Sequence, residues 1–217
     1  MTQKPIPSRL TRDESRGVTI ERLKSAALGE FARGGFAGAS VDRICEAAGY
    51  SRGAFYANYK TKQDLLLDLL SDYNTSEVAN WLSSIDSAHD MDTVYADMAA
   101  RFERYVAKAD WGLFAVEMML QARRNADFAA AYRVYQEKLL GDVARALTLM
   151  FGKAGRLPPA PVAELATALR SYTTGLSLDY GLHTAGGDPR AASGLLTLFL
   201  RCLIAQGAVA GERQPGA

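Results

Sequence analysis

Residues 40–59 read SVDRICEAAGYSRGAFYANY, and this stretch decides the fold that the sequence predicts. The spacing of its apolar residues predicts a short helix over 41–48, a turn at Gly49 and a second short helix over 52–59. Glycine suits the turn because it adopts the left-handed conformation that ends many helices. Two short helices joined by such a tight turn have the spacing of a helix-turn-helix.

The second of these helices has the outer surface that a DNA major groove requires. A helix that enters this groove, about 12 Å wide, must present small or polar residues outward. Gly53 and Ala54 keep the helix thin, and the methyl group of Ala54 can meet a thymine methyl. Arg52 can bind guanine O6 and N7 in bidentate fashion, which predicts that it reads a base. A solvated surface arginine without that role is the alternative.

Helical periodicity continues on both sides of this motif. A first helix runs from about Arg16 to the glycine pair at 34–35, and Thr61 with Asp64 forms a capping box before a long helix. The segment 155–161 must be a loop because it contains consecutive prolines. No alternating strand pattern of useful length is present. The remaining predicted helices cover roughly 62–87, 92–108, 111–125, 127–153, 162–185 and 189–208.

These patterns predict an all-α protein of about nine helices. We expect a flexible basic arm over 1–15, a three-helix helix-turn-helix DNA-binding domain over 16–61, and a larger helical domain for ligand binding and dimerisation over 62–217. Charge supports the division, because residues 1–62 carry a formal charge of +5 and the rest carries −4. A basic segment on an acidic body is typical of a module that binds a polyanion, although clustering of surface charge by chance gives the same balance.

Composition excludes several other classes of protein. The chain has 217 residues, of which 48% are hydrophobic and 23% charged, so it is neither disordered nor fibrous. It has no run of about 18 apolar residues, and the first residues lack the apolar stretch of a secretion signal, so we expect no membrane partner. Cys45 and Cys202 give no disulfide framework, which favours a reducing, cytoplasmic location.

Several segments of residues 16–66 closely resemble the TetR/AcrR family of transcriptional regulators. They agree in order and spacing across three helices, whereas the rest of the chain resembles the family only in length and helical character. Cys45, Ala54 and Asn58 depart mildly from the family pattern. The matching segments are TIERLKSAALGEF at 19–31, GF at 35–36, SVDRI at 40–44, AGYSRGAFY at 48–56 and YKTKQDLL at 59–66.

The resemblance implies a homodimer that binds a double-stranded DNA operator and responds to a small apolar or aromatic effector. Tyr56 matches the family tyrosine that touches the DNA backbone or a thymine, and Lys62 stands where family members clamp a phosphate. Ser40, Ser51 and Asn58 are further candidates for phosphate hydrogen bonds. For Tyr56 a structural role is the alternative, and the two serines fit helix caps equally well.

The body after residue 66 supplies candidates for an effector pocket. Aromatic and methionine side chains that share helix faces can enclose an adaptable apolar cavity. Core packing is the simpler explanation for each of them taken singly. The leucine-rich last two helices can form a four-helix bundle with a second copy, or can be interior only. The pocket candidates are Met98, Phe102, Tyr105, Trp111, Phe114, Met118, Tyr172 and Tyr180.

Enzyme activity is not expected. His89 and His183 lack neighbours at metal-ligand spacing, and no nucleophile motif or phosphate-binding loop is complete. We therefore expect no metal, no cofactor and no catalytic residues. Two alternatives remain open at this point. One is a helical small-molecule-binding protein or enzyme with an incidental helix-turn-helix, and the other is a regulator of the same fold that activates or responds to a protein partner.

Overall fold

The computed structural model describes residues 11–108, 111–183 and 188–209, with only the backbone at 108, 111 and 181–183. These residues form nine helices and two short strands, which confirms the predicted all-α fold. In chain order they are α1 (Arg12–Gly38), α2 (Val41–Ala48), α3 (Arg52–Tyr56), α4 (Lys62–Ser87), α5 (Met91–Lys108), α6 (Trp111–Arg124), α7 (Ala126–Lys153), β1 (Arg156–Leu157), α8 (Val162–His183), α9 (Pro189–Ala205) and β2 (Ala208–Val209).

The chain divides into two compact units at the boundary between Leu69 and Leu70, within α4. We call the described residues before this boundary the N-terminal unit and those after it the C-terminal unit. In the N-terminal unit α1 packs on α2, and α2 packs on α3. Its completely buried side chains include Leu23, Phe31, Ile44, Phe55, Leu65 and Leu66.

The first helix is longer than the sequence suggested. It begins at Arg12 rather than about Arg16, because Thr11 and Glu14 form a capping box. The Thr11 backbone N–H donates to Glu14 Oε2 at 2.7 Å, and the Glu14 N–H donates to Thr11 Oγ1 at 3.3 Å. The last residues of the expected arm are therefore helical, and residues 1–10 of that arm lie outside the described part. The predicted glycine break occurs at Gly35, after which a short helical segment continues to Gly38.

The helix-turn-helix is present as predicted, except that its second helix is shorter. Gly49 adopts a φ of 73°, the left-handed conformation expected at the end of α2. α3 ends at Tyr56 rather than Tyr59. The side chain of Asn58 accounts for this, since its Nδ2 donates to Ala54 O at 2.8 Å while its backbone N–H donates to Phe55 O at 2.9 Å. The side-chain amide of Asn58 thereby takes the place of its backbone N–H at the carbonyl oxygen of Ala54.

The C-terminal unit is a bundle in which α5 packs on α9, α7 packs on α8, and α6 contacts both α7 and α8. Its core contains buried side chains from all of its helices, among them Ile85, Phe102, Phe114, Leu147 and Leu196. None of the described helices has the length and apolar character needed to cross a bilayer.

A two-residue antiparallel sheet, absent from the sequence prediction, ends this unit. Leu157 pairs with Ala208 and Arg156 pairs with Val209. α9 consequently stops at Ala205 instead of about 208. Gly207 makes the pairing possible, because a Cβ there would lie 2.6 Å from the carbonyl oxygen of Leu157.

Candidate DNA interface and ligand cavity

The exposed face of α3 carries Arg52 and Tyr56, which are one helical turn apart. The Arg52 side chain is 63% exposed, and its Nε lies 3.2 Å from Asp42 Oδ1. Its guanidinium lies 5.9 Å from the centre of the Tyr56 ring. A hydrogen bond with Tyr56 and the negative charge of Asp42 raise the pKa of Arg52 above its ordinary value. An ion pair this exposed contributes little to stability, so a DNA base can replace Asp42 as the partner.

Phe55 fixes the direction in which this face points. Its side chain is completely buried, and its ring lies 5.9 Å from that of Tyr59 and 5.4 Å from that of Tyr56. Phe55 anchors α3 in the core, while Arg52 and Tyr56 beside it stay exposed, one helical turn apart. The sequence therefore places its two strongest DNA-binding candidates together on an accessible surface.

The four small or polar candidates near the start of α2 and α3 have local roles. Ser40 Oγ accepts the Arg43 N–H at 3.2 Å, and Ser51 Oγ accepts the Ala54 N–H at 3.3 Å, so both serines are helix N-caps. Gly53 is exposed, whereas Ala54 is half-buried and presents only part of its methyl group. A Cβ on Gly53 would meet nothing closer than 3.6 Å, so internal packing does not require glycine there.

Asn58 and Arg16 contact each other within the N-terminal unit. Arg16 Nε donates to Asn58 Oδ1 at 3.1 Å, while the amide nitrogen of Asn58 is held by Ala54 O. The Asn58 amide therefore links two helices: its nitrogen binds α3 and its oxygen binds the early part of α1.

Lys62 has protein partners at the position where the resemblance implies a phosphate contact. Its Nζ donates to the carbonyl oxygens of Phe36 and Ala39, each at 2.8 Å. The same ammonium lies 4.5 Å from the centre of the Phe36 ring. Lys62 thus satisfies carbonyls in the last turn of α1 and in the connection to α2, and a DNA phosphate would compete with them.

Buried charges join the helices of this unit. Glu30 is 3% exposed and pairs with Arg33 and with Arg43, whose Nε lies 3.1 Å from Glu30 Oε2. Asp68 lies 2.9 Å from Lys24 Nζ and accepts the Tyr59 hydroxyl at 2.7 Å. These pairs connect α1 to α2 and to α4. Sequence reasoning did not identify them, because only the fold shows which charged residues face each other.

The C-terminal unit contains a cavity of about 220 Å³. All of its helices contribute side chains to the lining, which is predominantly apolar. Three of the predicted pocket residues, Met98, Phe102 and Tyr105, line it together. Burial raises the pKa of Tyr105 well above its ordinary value, so this phenol stays neutral.

Four of the other predicted pocket residues do not line this cavity. Phe114 and Met118 are completely buried in packing. The Tyr172 ring stacks on Phe199 at 4.6 Å and its hydroxyl donates to Leu195 O at 3.2 Å, which turns it toward α9. Tyr180 packs against the core of the unit, and the side chain of Trp111 lies outside the described residues. Helical spacing identified shared faces but not which face borders empty space.

Sequence reasoning missed the polar residues of the cavity wall, which include Asn74, Arg101, Tyr135, Gln136 and Arg170. One signal was available for Arg170. It shares a helical face of α8 with Ala166 and Thr173, which are buried and half-buried. A charge at such a position is unusual and marks a buried site. Among the described residues, no cluster of His, Cys, Asp and Glu is arranged to hold a metal.

Comparison with known proteins identifies the family. A model described as bacterial regulatory proteins, tetR family, matches residues 23–69, which include the helix-turn-helix. The HTH-type transcriptional repressor AcnR of Corynebacterium glutamicum is 30% identical over 145 residues, which are 67% of this chain and 72% of AcnR. The chain belongs to the TetR family. It is a transcriptional regulator with a DNA-binding helix-turn-helix at α2 and α3.

Solved structures of other regulators share the fold of this TetR-family chain. FadR from Bacillus subtilis in complex with stearoyl-CoA has a TM-score of 0.65 and 16% identity, and the match covers 89% of this chain and 99% of that one. A transcriptional regulator from Saccharomonospora viridis in complex with choline also has a TM-score of 0.65 and 16% identity, with 88% and 97% covered. At such identities the likeness concerns the fold alone.

Proposed function

We propose that this TetR-family regulator is a homodimeric repressor that binds a near-palindromic operator and leaves it when a small, largely apolar ligand occupies the cavity. The observation that carries the proposal is the exposed pair of Arg52 and Tyr56 on a thin helix that Phe55 anchors in the core. In a dimer, two copies of α3 bind half-sites about one DNA turn, or slightly more, apart.

In this proposal Arg52 reads a base and Tyr56 contacts the backbone or a thymine. Ser40 and Ser51 combine the roles of cap and phosphate ligand, because a helix N-terminus attracts anions. Lys62 and Asn58 act mainly by holding α3 in place, and a phosphate contact of either requires exchange of an existing partner. Gly53 and Ala54 let the helix approach the base edges.

The cavity supports control by a small molecule rather than by a protein partner. Its volume of about 220 Å³ exceeds the roughly 150 Å³ that suffices for benzene in an engineered protein cavity. The solved relatives with stearoyl-CoA and with choline bind ligands within the same fold. Release from DNA requires that the ligand bind the DNA-free conformation more tightly, by several kcal/mol for strong derepression.

The surface of α9 supports the homodimer. Leu195 and Leu198 are 49% and 58% exposed, whereas Leu196 and Leu200 on the same helix are buried in the core. α9 is therefore apolar on two sides, of which only one is used within the chain. Exposed leucines of this kind are typical of an interface with a second copy.

Selection of bound duplexes from a random pool tests the DNA-binding part of the proposal. We expect enrichment of a near-palindrome by the wild-type protein and its loss or degeneration with Arg52→Ala. Sedimentation should give twice the chain mass at micromolar concentration. Absence of any preferred duplex over bulk competitor at moderate ionic strength, or a stable monomer, would contradict the proposal.

A further inference from the structure

The charged side chains of the cavity in the C-terminal unit point to the chemical class of its ligand. Most of the lining is apolar, so the charged groups that border it decide which polar group a ligand can carry. Two arginines and one carboxylate, Arg101, Arg170 and Glu77, line the cavity. The two arginines differ in how well their charge is compensated.

Arg101 is neutralised by its surroundings. Its Nε donates to Asp97 Oδ2 at 2.7 Å, and its Nη1 lies 3.5 Å from Glu77 Oε2. Its Nη2 also donates to the carbonyl oxygen of Asn80 at 3.3 Å. Arg101 therefore has partners on three of its nitrogens. One of these partners, Glu77, is the only carboxylate among the described residues that line the cavity.

Arg170 lacks such partners. Its Nε is buried and has no hydrogen-bond partner among the described residues, and none of the described carboxylates forms an ion pair with it. Arg170 as a whole is half-buried, and an arginine cannot shed its proton at any accessible pH, so the side chain stays charged. A buried donor without an acceptor costs free energy. A ligand that supplies an acceptor would recover that free energy.

Tyr135 provides a second donor beside Arg170. Its hydroxyl lines the same cavity and accepts a hydrogen bond from Asn74 Nδ2 at 2.5 Å, which leaves its own proton to donate. Burial raises the pKa of Tyr135, so the phenol keeps that proton, while the positive charge of Arg170 acts in the opposite direction. Arg170 and Tyr135 line the same cavity. Gln136, which also lines it, donates from Nε2 to the Tyr132 hydroxyl.

We propose that the effector is a small organic acid with a compact apolar body, whose carboxylate binds Arg170 and the Tyr135 hydroxyl. The apolar body lies against Met98, Phe102 and Leu169. This inference rests on the proposed function, since it names the ligand of the proposed effector site. A cavity of about 220 Å³ suits a ligand of roughly nine non-hydrogen atoms or a few more, judged against the six of benzene in about 150 Å³.

The same charges disfavour the other ligand classes. A cationic ligand would meet two arginines, and Glu77 is already paired with Arg101. A neutral ligand of the same shape would leave the charge of Arg170 without a counterion. Charge-assisted hydrogen bonds to a carboxylate are about twice as strong as neutral ones, so the acid is favoured over its amide.

Calorimetric titration of the full chain with matched pairs of probes tests the inference. The pairs are 4-isopropylbenzoate with 4-isopropylbenzamide, and octanoate with octanamide, which share a shape and differ in charge. We expect each acid to bind wild-type protein about tenfold or more tightly than its amide, as hydrogen bonds to charged groups imply. Arg170→Met should abolish the preference and Arg170→Lys should keep part of it. The matched control is Arg133→Met, at an exposed position of α7, which should leave the preference unchanged.

Each outcome is decisive. Equal affinity for acid and amide, no binding of either pair at millimolar concentration, or an undiminished preference in Arg170→Met would overturn the inference. The wild-type comparison suffices by itself if Arg170→Met does not fold. Addition of each probe to the selected operator complex separates the two proposals. An amide that binds more tightly and releases DNA would overturn the acid site and support ligand-controlled release, whereas an acid that binds through Arg170 without releasing DNA would support the site and contradict the release.

Discussion

The two units of this TetR-family regulator build their candidate sites in different ways. In the N-terminal unit, the proposed DNA-binding residues lie within one stretch from Ser40 to Lys62, and α3 exposes Arg52 and Tyr56 while it buries Phe55. In the C-terminal unit, side chains of helices α4 to α9 line the cavity, so residues as far apart in sequence as Leu70 and Leu196 border it together. The comparison shows that a local motif exposes its functional side chains, whereas a cavity depends on long-range packing.

Hydrogen bonding within the units differs in the same way. The polar candidates of the N-terminal unit already have protein partners: the serines cap helices, Asn58 binds Arg16, and Lys62 binds backbone carbonyls. In the cavity, Arg170 Nε has no partner among the described residues. Protein hydrogen bonds therefore hold the polar candidates of the N-terminal unit in place, whereas the C-terminal unit keeps a donor available to a ligand in its cavity.

The largest expected effects come from removing one buried side chain in each unit. Phe55→Ala should destabilise the N-terminal unit by about 3–5 kcal/mol, and Met150→Ala should destabilise the C-terminal unit by about 2–5 kcal/mol, because both side chains are completely buried. Both tryptophans, Trp81 and Trp111, lie after residue 70. Urea denaturation followed by tryptophan fluorescence therefore reports on the C-terminal unit, while circular dichroism reports on both.

If the two units unfold independently, Phe55→Ala should abolish DNA binding and leave the fluorescence transition at the same urea concentration. Met150→Ala should shift that transition to lower urea concentration. If both variants moved the fluorescence transition equally, the two units would unfold as one, and the contrast between them would not extend to stability.

The next largest effect is expected for Lys62→Met. Loss of the two ammonium hydrogen bonds to Phe36 O and Ala39 O should cost about 1.5–3 kcal/mol of unfolding free energy in the N-terminal unit. If Lys62 also contacts a phosphate, the salt dependence of operator binding should flatten by about one unit of slope. The two measurements are chemical denaturation and binding across a salt series. A flatter slope with unchanged stability would show that Lys62 acts mainly through a phosphate contact and not through its carbonyl hydrogen bonds.

Arg52→Ala should act on recognition alone. The side chain is mostly exposed and its pair with Asp42 is weak, so the melting temperature should stay within a degree or two. Discrimination at one base pair of each half-site should fall by about 1–3 kcal/mol. Binding to operators substituted at each position measures this. Unchanged affinity and sequence preference would exclude Arg52 as a base-reading residue.

The smallest expected effect on stability belongs to Ser51, where two variants separate capping from DNA contact. Ser51→Ala should cost about 1 kcal/mol, whereas Ser51→Asp should cost almost nothing, because aspartate caps a helix as well as serine does. Operator binding should nevertheless be weaker for Ser51→Asp, since its negative charge would face a phosphate. Equal operator binding by Ser51→Asp and wild-type protein would restrict Ser51 to the capping role.

Much of the fold was predictable from residues close in sequence. α2 has the predicted bounds, and α4 begins and ends where the capping box and periodicity placed it. Errors occurred where a side chain competes with the backbone, as at Thr11, which extends α1, and at Asn58, which ends α3. The pairing of β1 with β2 was missed because the two strands are separated by about fifty residues and are only two residues long.

The sites were predictable to different degrees. Helical periodicity predicts that Arg52 and Tyr56, four residues apart, share a face, and that Phe55 and Tyr59 face the core together. For the cavity, periodicity selected Met98, Phe102 and Tyr105 correctly as one face, but it also selected Phe114, Met118, Tyr172 and Tyr180, which pack elsewhere. Aromatic content identifies residues that prefer burial, and it does not distinguish a packed interior from a wall of empty space.

The sequence alone determined the helix-turn-helix, the family and the all-α class, because capping, periodicity and turn chemistry act over a few neighbouring residues. Only the tertiary structure decided that Lys62 binds carbonyls, that three of the aromatic and methionine candidates border a cavity, and that Arg170 Nε is buried there without a partner. These features depend on which helices approach one another, and that is set by the packing of side chains far apart in the chain.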